Sequence, residues 1–162
     1  MSLKYFILFA IASCATGCSS LHPSKHLDPG TVQSVEITQV LNSKRCFTLR
    51  VQADFDLYDI AVPVSEQRES RANQKFKNQS QRCAIVSAAT KVINAFGYLP
   101  AVQTDRSDLE TWIVCVRSRE LTIEANICPQ TAKPYLRRQI QQLQGAIQQV
   151  LENSSLKPNR AF

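Results

Sequence analysis

Residues 46–56 read Cys-Phe-Thr-Leu-Arg-Val-Gln-Ala-Asp-Phe-Asp, an unbroken alternation from Phe47 onward. Side chains of an extended strand point to opposite faces with period two, so this segment belongs in a sheet with one buried and one wet face. Phe47, Leu49, Val51, Ala53 and Phe55 turn one way; Thr48, Arg50, Gln52 and Asp54 turn the other. Such a strand needs a second layer over its apolar side. Residues 136–150 offer one. Leu136, Ile140, Leu143, Ile147 and Val150 recur at the spacing of one helix face, with glutamines on the others. Thr131 is placed to cap this helix and Pro134 suits its first turn. Gly145 weakens its middle by roughly 0.8–1 kcal/mol relative to Ala.

The other elements follow from punctuation. Residues 31–41 hold a partly alternating strand, and Asn42-Ser43-Lys44 forms a turn before the next. Residues 60–64 extend the sheet, with Pro63 marking an edge or an end. Residues 65–82 are nearly all polar, either a long exposed loop or a solvated lead-in to a helix. Phe76 is the one large apolar residue there; it either pins the segment to the core or serves as a contact point. From a Ser80 cap, Ile85, Ala89, Val92 and Phe96 define a second helix, and Gly97 stops it. Residues 112–127 alternate around Ser118-Arg119-Glu120 and predict a hairpin. The expected fold is α+β: a small antiparallel sheet covered by two helices, in the order β-β-(β)-α-β-β-α.

The N-terminus has a different character. Lys4 precedes the apolar run Tyr-Phe-Ile-Leu-Phe-Ala-Ile, and small residues lead into Ala15-Thr16-Gly17-Cys18. A charged start, a short apolar run and small residues describe an export signal, and the run is too short to span a bilayer. Ala15-Thr16-Gly17-Cys18 resembles the lipobox of bacterial lipoproteins, and Ile11-Ala12-Ser13-Cys14 fits the pattern as a runner-up. The resemblance implies cleavage before Cys18, diacylglycerol on its sulfur, and usually a third chain on the new amine. Two or three acyl chains hold a protein firmly to a membrane. In Gram-negative members an Asp after the lipidated Cys favours the inner membrane; Ser19 stands there, so the resemblance implies a periplasm-facing outer-membrane protein. The chain then divides into a signal peptide at 1–17, a lipidated tether at 18–30, a single domain at 31–152 and a loose tail at 153–162.

Four further cysteines, Cys46, Cys83, Cys115 and Cys128, predict two disulfides in an exported domain, with three possible pairings. Their spacing holds no close Cys-x-x-Cys pair, so a zinc site is not expected. The two histidines, His22 and His26, lie in the tether, which leaves Ser-His-Asp or Cys-His catalysis without a base. With only four glycines there is no Gly-rich phosphate loop. Asp54, Asp56 and Asp59 form one acidic group and Asp105, Asp108 and Glu110 another, neither with a calcium-loop pattern. No catalytic residue, cofactor or metal is expected.

A net charge of +6 suits an acidic partner or an anionic surface, while export argues against nucleic acid. Size, tether, four cysteines and element order also make the body resemble, loosely, small outer-membrane lipoproteins that act as stress sensors or assembly partners. The expected role is non-enzymatic: an accessory or assembly factor binding another envelope protein, possibly in a secretion, pilus or conjugation system. A disulfide-stabilised stress or redox sensor and a periplasmic inhibitor or cell-wall binder are the alternatives. Two surfaces are candidates for partner binding: Phe76 in the polar segment, and the stripe of Leu136, Ile140, Leu143, Ile147 and Val150, which packs on the sheet or is offered to a partner or to its own copy.

Overall fold

The computed structural model of the chain describes residues 26–65, 67–96, 109–156 and 158. Strands β1 (Val32–Leu41), β2 (Lys44–Gln52), β3 (Leu57–Ser65) and β4 (Arg68–Lys75) are followed by helix α1 (Gln79–Phe96). Strands β5 (Thr111–Ser118) and β6 (Thr122–Ile127) and helix α2 (Pro134–Leu151) complete the fold. The strands form one antiparallel sheet in the order β4-β3-β2-β1-β5-β6. This is the expected α+β arrangement, with one more strand.

Cross-strand register lines the apolar residues into continuous rows. One runs Ala72–Ile60–Leu49–Ile37–Val114–Ala125 from edge to edge. All but Ala72 are fully buried, and Trp112 packs edge-on against Phe47 with ring centroids 6.0 Å apart. The first hairpin turns on Asn42 and Ser43, with φ of 51° and 58°. Two successive positive φ values describe the two-residue turn whose twist matches that of paired strands.

Both helices cover the apolar side. α1 lies over β1, β5 and β6 and packs along α2. Asn78 caps α1, not Ser80: its side-chain oxygen accepts from the Gln81 amide at 3.0 Å, and the Gln81 side chain accepts from the Lys77 amide at 3.0 Å. α2 starts on Pro134 behind Lys133, which makes no side-chain cap, so Thr131 does not cap it. Arg137 instead ties the preceding turn, donating to the carbonyls of Pro129, Gln130 and Ala132 at 3.1–3.2 Å.

Further expectations are corrected in whole or in part. The polar segment at 65–82 is not one element: residues 68–75 form edge strand β4, and only 79–82 are the start of a helix, the first turn of α1. The inward side chains of β4 are Ser70, Ala72 and Gln74, opposite Val62, Ile60 and Tyr58 of β3, so an edge strand needs no large apolar residue. β4 also makes β3 an interior strand, with Pro63 at a register break near its end. The domain begins before residue 31: Leu27 is buried, and Asn94 clasps its backbone on both sides at 2.9 Å. The tail from 153 is not loose at its start, because Ser154 is buried and Gln74 reaches the hydroxyls of Ser154 and Ser155 at 3.0 and 2.6 Å.

Candidate functional site

The residues expected to bind a partner are core residues. Leu136, Ile140, Leu143, Ile147 and Val150 are all at most 4% exposed. Phe76 is also buried, its ring 4.8 Å from that of Tyr58. The stripe therefore covers the sheet and is not offered to a partner or to its own copy. Its residues belong to the same core cluster as the inward residues of β1, β2, β3 and β5, and α2 packs along α1.

No disulfide joins Cys46 of β2, Cys83 of α1, Cys115 of β5 and Cys128, which follows β6. Cys46 and Cys115 share the side of the sheet away from the helices, but β1 lies between their strands. Cys115 is level with Arg50, through Glu36, and so stands four positions along from Cys46. Strands about 4.8 Å apart put such a pair well beyond the roughly 7 Å Cα separation a disulfide tolerates. Cys83 is exposed on α1, and Cys128 follows β6 with its sulfur 3.1 Å from Gln130 Oε1. The two expected disulfides are thus not formed in this structure. Burial, then the neighbouring Glu124 and Glu36, pushes the Cys115 thiol above its ordinary pKa.

Acidic residues do not assemble into a site. Arg82 neutralises Asp56 at 2.8 Å. Asp59 sits on β3 beside Arg50, while Glu110 accepts from Trp112 Nε1 at 2.6 Å and from Gln39 Nε2 at 2.8 Å. Among the described residues no group of His, Cys, Asp or Glu is placed to hold a metal. Cys14, Cys18, His22, Asp105 and Asp108 lie outside the described residues. His26 is exposed beside Asn94. A shallow depression of about 370 Å³ lies between His26–Thr31 and the β5–β6 turn.

What the strands do create is a bare face. Every strand shows its second side away from the helices, and no described element packs there. One row across it is charged: Asp59, Arg50, Glu36, Cys115 and Glu124 stand level on five strands. Arg50 donates to Glu36 at 2.8 Å, and that carboxylate raises the guanidinium pKa further. The next row carries no charge from β3 to β6; in it Ala61 and Thr48 are buried, at 5% and 4% exposed, while Thr38 and Ile113 are half-buried and Asn126 is exposed. The Thr38 and Thr48 hydroxyls bond across it at 3.0 Å. Beyond this row charge returns on the β2–β4 side: Val40 faces Arg45, Pro63 faces Glu69, and Arg45 donates to Glu69 across β3 at 2.6 Å.

The alternation in β2 already pointed Thr48 and Arg50 outward. The missing signal was that the neighbours in register are also uncharged, which depends on strand order. No family model matches the chain, and no curated protein and no solved structure matches it.

Proposed function

We propose that this chain is a lipid-anchored accessory protein of a bacterial envelope that binds another envelope protein through the bare face of its sheet. The observation that carries the reading is the uncharged, accessible run of Thr38, Ile113 and Asn126, flanked by Glu36, Cys115 and Glu124 of the charged row. Protein interfaces concentrate uncharged residues at the centre and polar groups at the rim. A sheet face is also rigid, because each residue is held by neighbours on both sides, so a partner meets a preformed surface.

The anchor supports the same reading from the sequence. Cys18, in its lipobox-like setting, lies nine residues before Leu27, where the chain is clasped to α1. Nine extended residues span at most about 30 Å. A domain on so short a leash works near its membrane, periplasm-facing on the outer membrane if Ser19 is read by the sorting rule of lipoproteins. The disulfide-held sensor reading gains no support from Cys46, Cys83, Cys115 and Cys128, none of which is bridged to another.

The test uses photo-crosslinking side chains incorporated one at a time in living cells. Positions Ile113 and Thr38 are expected to give a discrete adduct, and Gln141 on the outer side of α2 none. Adducts from Gln141 with silence from both sheet positions would sink the proposal. The anchor is checked separately: Cys18→Ser is expected to lose metabolic acyl label, and full label retained in that variant moves the attachment to Cys14.

A further inference from the structure

The two edges of the sheet are built differently. β4 carries Arg68, Glu69, Arg71 and Lys75 within eight residues, and its pairing with β3 is broken by a register shift near Pro63. Charges and irregularities of this kind stop an edge from pairing with another chain. β6 has neither. It reads Thr-Ile-Glu-Ala-Asn-Ile, with Glu124 its one charge, and it pairs with β5 without a register shift. Among the described residues no strand pairs with its outer side.

We propose that β6 is the pairing edge for a second copy of this chain, forming a twofold-symmetric dimer with one continuous sheet. The strand's own sequence argues for that occupant. Facing residues of an antiparallel pair lie on the same side of the sheet, so their positions differ by an even number. A twofold axis through Ala125 then sets Ile123 against Ile127 on the helix-covered side. On the bare side it sets Glu124 against Asn126, twice by symmetry. The strand thus meets its own copy with no like charges opposed. Moving the axis one residue back sets Glu124 against its own copy, and moving it further shortens the paired stretch. Ile123, half-buried on a free edge, gains the neighbour it lacks in the monomer. The dimer would also place two bare faces side by side, independently of what those faces bind.

The register makes a charge-specific forecast. Asn126 is exposed and faces Ile113 within its own sheet, so a substitution there leaves the core untouched. In the dimer, N126E opposes Glu124 with a like charge at two places, and N126K opposes it with an opposite one. The full chain, extracted in mild detergent, is followed by sedimentation from about 1 to 100 μM, the range of moderate protein affinities. The wild type is expected to dimerise in that range. N126E is expected to raise the dissociation constant about tenfold or more and N126K to lower it. Asn73→Lys, on the other edge and opposite Asp59 of β3, is expected to leave the dimer unchanged, and no variant is expected to lower the melting temperature. A wild-type chain that stays monomeric throughout leaves the β6 edge to a strand from some other protein and overturns the proposal. So does a dimer that N126E leaves unchanged, or one that Asn73→Lys disrupts.

Discussion

Ile37 and Thr38 are neighbours in β1, yet Ile37 has no exposed surface and Thr38 lies on a face that no described element covers. The same holds for Val114 beside Ile113, whereas Thr48, beside Leu49, is itself only 4% exposed. On the covered face the side chains are large, dry and matched to two helices. On the bare face they are small or neutral in one row and charged in the next. The first pattern answers to folding, since apolar area removed from water stabilises by roughly 25 cal/mol per Å². The second is not required by folding, because a wet face tolerates charge anywhere. A neutral row there is therefore the more informative about function.

The sharpest way to break this comparison is to cut into each face at equal cost in atoms. Leu143→Ala empties a fully buried position of α2 and is expected to lose roughly 2–5 kcal/mol in denaturant unfolding. Ile113→Ala, half-buried on the bare face, is expected to lose clearly less, within about 1 kcal/mol. Equal losses would mean that a second layer covers the bare face in the folded monomer, and the proposed binding surface would go with it.

The next effect is local. Asn94 satisfies both the amide and the carbonyl of Leu27, on the covered side of the molecule. Asn94→Ala leaves two partly buried backbone groups without partners, which costs on the order of 1–3 kcal/mol. The loss is expected to be concentrated at residues 26–31: hydrogen exchange of the Leu27 amide should rise towards that of an unprotected peptide while β1 stays protected. An unchanged Leu27 amide would show that something other than Asn94 holds the chain, and the short leash to the anchor would have to be measured from a later residue.

How much of this was legible depended on whether an element carries its own apolar periodicity. β1, β2, the β5–β6 hairpin and both helices do, and each was readable within a few residues. β4 does not. Ser70, Ala72 and Gln74 face inward at an edge where Tyr58 is buried and Gln74 bonds to Tyr58, Ser154 and Ser155, so a strand there needs extended backbone more than apolar side chains. Phe55 failed in the opposite sense. It continues the alternation of β2, but that strand ends at Gln52 and Phe55 is 60% exposed in the loop beyond. Leu27 was hidden because one leucine between prolines carries no period, and its partner, Asn94, is 67 residues away. The bare face was half legible: each outward residue could be named strand by strand, but the neutral row exists only once β5 lies beside β1 and not beside β4.

Thiol chemistry gives a smaller test of the same contrast. Cys83 is exposed on a helix, while Cys115 sits half-buried in the charged row between Glu36 and Glu124. Burial first, then those carboxylates, hold the Cys115 thiol protonated to higher pH than usual. Since the thiolate is the nucleophile, native alkylation is expected to label Cys83 first and Cys115 late, with the Cys115 rate still rising above the ordinary thiol range of about 8.5. Glu124→Gln is expected to speed Cys115 at a given pH. Intact mass after denaturing alkylation without reductant is expected to show all four of Cys46, Cys83, Cys115 and Cys128 labelled. A bridge between any two would read as two labels fewer and would require movement of the strands that now keep them apart.

The smallest expected effect lies at the guarded edge. Glu69 on β4 is held between Arg71, with which it forms an ion pair, and Arg45 of β2, whose guanidinium donates to it at 2.6 Å. Arg71 first, and Arg45 with it, pulls the Glu69 carboxyl below its ordinary pKa. A carboxylate whose pKa is lower in the folded state adds stability above the unfolded value, about 4.3, and that share is lost as pH falls through the folded value. Because the group is solvent-screened the share is slight. Glu69→Gln should therefore lower the unfolding midpoint a little at pH 6, and the difference from wild type should shrink as the buffer is taken below pH 4. Salt should erase it at pH 6 as well. If the two proteins differ as much at pH 3 as at pH 6, the stabilisation comes from packing or backbone pairing at the β4 edge. The charges there would then act mainly to keep other strands away, which is the role that sets β4 apart from β6.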